Sequence, residues 1–303
     1  MTQLIGNFDD FGMDTITLAG PLPAKLAAMR EAGFGQVMLS ARDLVGHDGG
    51  WRAAVAAVKA SGLRVTGFQV LRDFEGLSGH LHDYKVDIAK QMLEMCAALD
   101  CRVLLVCSST STHATNDLDA MARDLRQLAM LAVPLNIRIA FEGLSWGRTV
   151  NEFTTAWDVV CRADVPNLGL GLDSYHVVAA KTSLDDLDML DPQKIFLVQL
   201  ADFMWTEVRS FEERMTTARH FRVFPGEGVH SDALAELVMR LDKLGYRGDY
   251  SFEVFNDDYQ QIPLEAVCER GRRSAIWLGE EVLRRSVPLP NRMRLKGREG
   301  LRG

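Results

Sequence analysis

Glu142 stands at the end of Ile137–Phe141, a run in which four of five residues are apolar and whose length and β-branched content suit a buried strand. An ionised carboxylate in that position is costly to bury without a partner. Taken alone, it reads as a strand end reaching solvent. Three further runs end in a similar way. LGLGLDSYH ends in Asp173 with His176 three residues on, IFLVQLAD carries Gln199 near its end, and YSFEVFND carries Glu253. Three carboxylates brought together repel and push one another's pKa values up, a conflict that a divalent cation removes. Three carboxylates and one amide form a hard oxygen set, which suits Mg²⁺ or Mn²⁺, with Co²⁺ as a further candidate, and suits Zn²⁺ poorly. Beside such an ion His176 is a natural general acid or base. The competing reading is that these are solvated strand ends, or ion pairs with Arg148, Arg219 or Arg222.

Groups that bind anions cluster near the same residues. ARHFRVFPGEG (Ala218–Gly228) carries Arg219, His220 and Arg222, and Arg72 follows the third strand in FQVLRDFEG. Arginines there can clamp a carboxylate with two parallel hydrogen bonds, and a surface salt-bridge cluster is the alternative. Ser108, at the end of the fourth strand, is a further candidate substrate contact. Ser108 and Ser109 have no His–Asp partner legible in the sequence, so no nucleophile is assigned. Asp202 reads as a loop charge or as a support for Gln199.

These residues need a scaffold that gathers strand ends. Strands are expected at Ile16–Leu18, Val37–Leu39, Leu63–Phe68, Val103–Cys107, Ile137–Phe141, Leu168–Leu172, Ile195–Leu200 and Tyr250–Val254. Helices are expected at Ala24–Ala32, Trp51–Ala60, His80–Leu99, Leu118–Val133 (capped by Asn116), Val150–Arg162, Leu184–Leu190, Ala233–Leu244 and Leu264–Arg285. Met204–His230 shows no clear period and reads as the longest loop. The strands are mostly unbroken apolar runs, as in parallel sheets buried on both faces. Eight alternations in 303 residues fit a (β/α)8 TIM barrel spanning residues 1–287, which collects the C-terminal ends of all its strands on one face. A doubly wound sheet is the runner-up; no GxGxxG joins a strand to a helix. Residues 288–303, rich in Arg, Lys, Gly and Pro, are expected to form a basic, flexible or loosely docked tail.

Net charge is −7, which argues against a nucleic-acid partner. The five cysteines form no CxxC pair, which fits reduced thiols in a cytoplasm rather than a disulfide framework. No signal peptide is visible, and no apolar run approaches the roughly 18 residues of a membrane span. A homo-oligomer, common among soluble barrels, is left open.

The chain resembles the xylose-isomerase-like TIM-barrel superfamily of sugar isomerases and epimerases, and within it the bacterial 3-dehydroshikimate dehydratases. The likeness spans most of Leu63 to Asn256. It rests on FQVLRDFEG, LLVCSS, FEGLSWGRTVN, LDSYH, VQLAD, RHFRVFPGEG and SFEVFND. It implies a metal held by Glu142, Asp173, Gln199 and Glu253, His176 as acid/base group, and Arg72 and Arg222 in contact with substrate. It further implies a lyase that dehydrates 3-dehydroshikimate to protocatechuate, with Glu142 and Glu253 as candidate catalytic carboxylates. The alternatives are isomerisation or epimerisation of a keto-sugar or related polyol, and a barrel that binds without chemistry. Two positions depart from the dehydratase pattern. Strand two in the dehydratases resembles VEIFEN, with acidic residues near its end, whereas here it reads VMLSAR, with Met38, Ser40 and Ala41, and Ala218 stands where a serine usually precedes RHFR. Both positions face substrate in the family.

Overall fold

The computed structural model describes residues 9–284 and Asn291. Seven parallel strands, β1 (Phe11–Asp14), β2 (Gln36–Ser40), β3 (Arg64–Arg72), β4 (Val103–Cys107), β5 (Arg138–Glu142), β6 (Leu168–Asp173) and β7 (Ile195–Leu200), lie side by side in chain order. Two short strands, β8 (Asp202–Phe203) and β9 (Arg222–Val223), pair antiparallel with each other outside the barrel. β10 (Tyr250–Phe252) closes the barrel between β7 and β1. This is the (β/α)8 barrel expected from the eight alternations.

The strand pleat explains both the apolar runs and their polar ends. Side chains alternate between faces. Outward residues such as Leu39, Leu104, Val106 and Phe141 pack against the helices, each fully buried side chain contributing about 1.5–3 kcal/mol. Inward residues fill the barrel: Met38, Leu105, Ala140 and Leu197 form one apolar cluster. Gly171 is part of that layer, and a side chain there would have to displace the tip of Leu105. A Cβ there would lie 2.8 Å from Leu105 Cδ1 and 3.6 Å from Glu142 Cβ. The next inward position on most strands is where the polar side chains begin.

Several local expectations differ from the structure. Ile16–Leu18 is not a strand. Thr15–Thr17 form a single 3-10 turn capped by the Asp14 carboxylate, and the strand is the preceding Phe11–Asp14. The cap of helix Leu118–Ala132 is Asp117, whose side chain accepts from the Asp119 and Ala120 amides, not Asn116. Met204–His230 is not all loop, since it holds helix Phe211–His220 and β9. That helix is polar on most faces, so no period shows. It is started by a reciprocal capping box between Ser210 and Glu213. Leu184–Met189 is a 3-10 helix, and Ser174–Ala180 is a short α-helix not expected from the sequence. The last long helix ends at Ile276 and continues as π-helix over Trp277–Val282. The proposed tail, 288–303, lies outside the described residues except for Asn291. That residue is buried, its backbone amide donating to Asp10 Oδ1 (2.6 Å) and its side chain to the Gly248 carbonyl (2.8 Å).

Candidate active site at the strand ends

Each barrel strand delivers an inward side chain at or near its C-terminal end to one mouth. In strand order these are Asp14, Ser40, Gln69, Cys107, Glu142, Asp173, Gln199 and, just past β10, Glu253. Register aligns Cys107 with Glu142 and Asp173 with Gln199. All eight are buried. A cavity of about 310 Å³ opens over them, lined among others by Arg72, Trp146, His176, Ala218, Arg219 and Arg222. A larger opening, about 660 Å³, lies where the strands begin, beside Arg138 and Tyr246, and holds none of these groups.

The carboxylates are held differently. Asp173 caps helix Ser174–Ala180, one oxygen accepting from the Tyr175 amide at 2.8 Å. The same helix sets His176 beside it, Nε2 3.6 Å from Asp173 Oδ2. Arg222 is 2% exposed and bridges two acids, with Nη1 2.6 Å from Asp173 Oδ2 and 3.0 Å from Glu253 Oε2. Its Nε donates to the Ala218 carbonyl at 2.8 Å, and its guanidinium lies over the Tyr175 ring at 4.6 Å. Nη2 makes no hydrogen bond among the described residues and remains for another acceptor. Glu142 Oε2 accepts from the Cys107 thiol at 3.0 Å, whereas Oε1 has no partner among the described residues. Both polar atoms of the Gln199 amide are likewise without one.

Those orphaned oxygens fit a cation. Leaving a buried acceptor unpaired costs about 1–3 kcal/mol, and such atoms call for a bound partner. Glu142 and Asp173 bring a carboxylate oxygen each within 4.8 Å of one another and of a His176 ring nitrogen. The electrostatics agree. Burial, then Asp173 and Glu253, push the Glu142 carboxyl well above the ordinary range. Burial raises Glu253 although Arg222 pulls it back. Burial, then Arg222, hold His176 well below its usual value, so it is neutral. The Ser145 amide donates to His176 Nδ1 at 3.3 Å, and Ser145 Oγ lies at 3.1 Å. An N–H can donate only to a lone pair, which assigns the imidazole proton to Nε2.

Arg72, Arg222 and His176 therefore share the cavity with the carboxylates, and Arg219 joins them. Ser108 and His220 are placed elsewhere. Ser108 is buried behind the cavity, its Oγ accepting from the Leu144 amide at 3.0 Å. His220 points away and pairs with Asp257 at 3.0 Å. Asp202 does not support Gln199; it accepts from the His230 amide and the Ser231 hydroxyl at the start of helix Ser231–Leu244. Of the two departures, Ala218 lines the cavity, but Met38 lies in the apolar layer below it, packed on Gly67. The sequence reading missed Asp14, Gln69, Cys107 and Trp146. Gln69 donates to Asp14, whose carboxyl burial and then Glu253 push well up. The signal was the pleat: each lies two residues beyond an inward residue or in the turn above one.

A further buried acid braces the rim. Glu75 accepts from the Ser109 amide, and Asp73 accepts from Thr110 (2.7 Å), tying the loop after β3 to the loop after β4. Burial, with Asp73 and Asp124 adding, pushes the Glu75 carboxyl up to about 8. A carboxyl whose folded pKa exceeds its unfolded value stabilises fully below the unfolded pKa and loses that contribution as pH rises through the folded one. Stability should fall by on the order of 3–5 kcal/mol from this group between about pH 4.5 and about pH 8. Glu75→Gln should flatten that part of the melting-temperature profile. Equal slopes for both proteins would refute the assignment.

A family model described as xylose isomerase-like TIM barrel matches residues 26–278. A 3-dehydroshikimate dehydratase from Pseudomonas aeruginosa is 38% identical over 277 residues, covering 90% of this chain and 43% of that protein. An inosose isomerase from Halalkalibacterium halodurans is 29% identical over 153 residues, 50% of this chain and 51% of that one. A solved xylose isomerase-like TIM barrel/4-hydroxyphenylpyruvate dioxygenase fusion protein superposes with a TM-score of 0.84 at 34% identity, over 91% of this chain and 43% of its own. The chain thus spans less than half the length of the dehydratase and of the fusion protein.

Proposed function

We propose, from the premise that the chain belongs to the xylose isomerase-like TIM-barrel family, that it is a divalent-metal-dependent lyase dehydrating 3-dehydroshikimate to protocatechuate. The observation that carries this reading is the buried oxygen set of Glu142, Asp173, Gln199 and Glu253, with Glu142 Oε1 and the Gln199 carbonyl oxygen unpartnered. These four would hold Mg²⁺ or Mn²⁺, with Co²⁺ a further candidate. When bound, the cation supplies Lewis acidity toward a ketone oxygen.

The residues divide the remaining work. His176 enters neutral with its proton on Nε2, so it donates a hydrogen bond to a substrate oxygen, as a neutral imidazole can. It is not disposed to accept a carbon-bound proton. That proton, beside the ketone, falls to the Glu253 carboxylate, since with the cation bound both oxygens of Glu142 are engaged, and Glu253 returns it to the departing hydroxyl so that water leaves. A shift of one ring proton to the ketone oxygen then completes aromatisation. Arg72 and Arg219 line the cavity without an ion pair among the described residues, and with Arg222 Nη2 they can hold the substrate carboxylate.

The second reading is isomerisation of a keto-polyol, supported by the inosose isomerase relative. It needs a second acid/base to return the proton to carbon. β2 offers only Ser40, whose hydroxyl already accepts from the Arg42 amide, so the site favours the lyase. Purified protein with Mg²⁺ or Mn²⁺ and 3-dehydroshikimate should give saturable growth of catechol absorbance. No product with either metal, together with deuterium uptake by an inosose in heavy water, would replace the lyase with the isomerase.

A further inference from the structure

We propose that Cys107 is a positioning residue for Glu142: its thiol anchors Oε2 so that Oε1 is the oxygen presented to a divalent cation. The inference rests on the metal reading above and deepens it. Cys107 is the last residue of β4 and sits opposite Glu142 in the strand register, so the two Cβ atoms start from neighbouring inward positions. Sγ lies 3.0 Å from Oε2. A thiol has one hydrogen, and the carboxylate can only accept it. One oxygen is therefore tied to the wall of the barrel. The other, Oε1, buried and without a partner among the described residues, belongs to the carboxylate that shares a 4.8 Å cluster with Asp173 and His176.

The surroundings make the anchor consequential. The Glu142 backbone is fixed, its carbonyl accepting from the Ser108 amide at 2.8 Å. Its side chain passes the bare Cα of Gly171, where a methyl group would press on Leu105. No other side-chain donor reaches Glu142 among the described residues. Without the thiol, either oxygen can turn inward, or both can share the cation. Outer partners of this kind typically hold 10–100-fold of metal affinity.

The test is titration of the purified full chain with Mn²⁺, followed by calorimetry and by the Mn²⁺ spin-resonance signal, for wild type, Cys107→Ala and Cys107→Ser. Alanine should weaken Mn²⁺ binding about 10–100-fold, and serine, which keeps a donor, should stay within roughly threefold of wild type. Melting in chelator checks that both variants fold. Wild-type-like binding by alanine, or equal weakening by alanine and serine, overturns the proposal while leaving the metal site intact. Failure of wild type itself to bind Mn²⁺ overturns the metal reading, and the role of Cys107 with it.

Discussion

Glu142→Gln is expected to abolish metal-dependent turnover while leaving the barrel as stable as before or more so. The substitution keeps shape and removes charge. An outer partner of a metal ligand is worth about 10–100-fold, so loss of the ligand itself should cost at least roughly a hundredfold in both Mn²⁺ affinity and kcat/KM. Stability moves the other way. Burial, with Asp173 and Glu253, raises the Glu142 carboxyl. Its favourable contribution is present below the unfolded pKa and is lost as pH rises, so at neutral pH in chelator the ionisable group is a burden that glutamine removes. A variant that melts no lower than wild type in chelator but binds and turns over poorly is the trade between stability and activity that functional carboxylates impose. Unchanged turnover would sink the assignment of Glu142.

The legibility of this site followed the strand pleat. Glu142, Asp173, Gln199 and Glu253 were readable because each stands at or near the end of a mostly apolar run. Asp14 was not, although it occupies the equivalent place on β1. FGMD has no β-branched residue, and the neighbouring Ile16–Leu18 looks more like a strand than the strand does. Cys107 was hidden for the opposite reason: a thiol closing VLLVC reads as one more core residue. His176 was visible as a candidate, but which ring nitrogen carries its proton was not, because the Ser145 amide that assigns the tautomer comes from another loop. Nor did spacing separate His220 from Arg222. Helix Phe211–His220 turns one outward to Asp257, and β9 carries the other under the cavity.

Arg222→Met is expected to lower the melting temperature by on the order of 10 °C in chelator, the counterpart of about 3–5 kcal/mol for stripping a buried ion pair of one partner. Methionine keeps an unbranched chain of similar reach but loses the guanidinium that lies over the Tyr175 and Phe255 rings along with its charge. Two buried carboxylates, Asp173 and Glu253, then face each other without the guanidinium that lies 2.6 and 3.0 Å from them. Arg222 now restrains the Glu253 carboxyl, which burial and Asp173 push up. Without it the folded pKa of Glu253 rises further, and the deficit grows as pH rises above the unfolded value and shrinks as Glu253 protonates. A divalent cation should replace the missing charge, so Mn²⁺ should raise the melting temperature of the variant more than that of wild type. Equal Mn²⁺ shifts in both proteins, or a variant that melts with wild type at neutral pH, would show that the guanidinium is not the counter-charge that lets these acids share one barrel mouth. The same substitution removes Nη2 from the cavity, so weaker substrate binding by the Mn²⁺-stabilised variant would connect the two duties of one side chain: neutralising the acids below it and holding a carboxylate above.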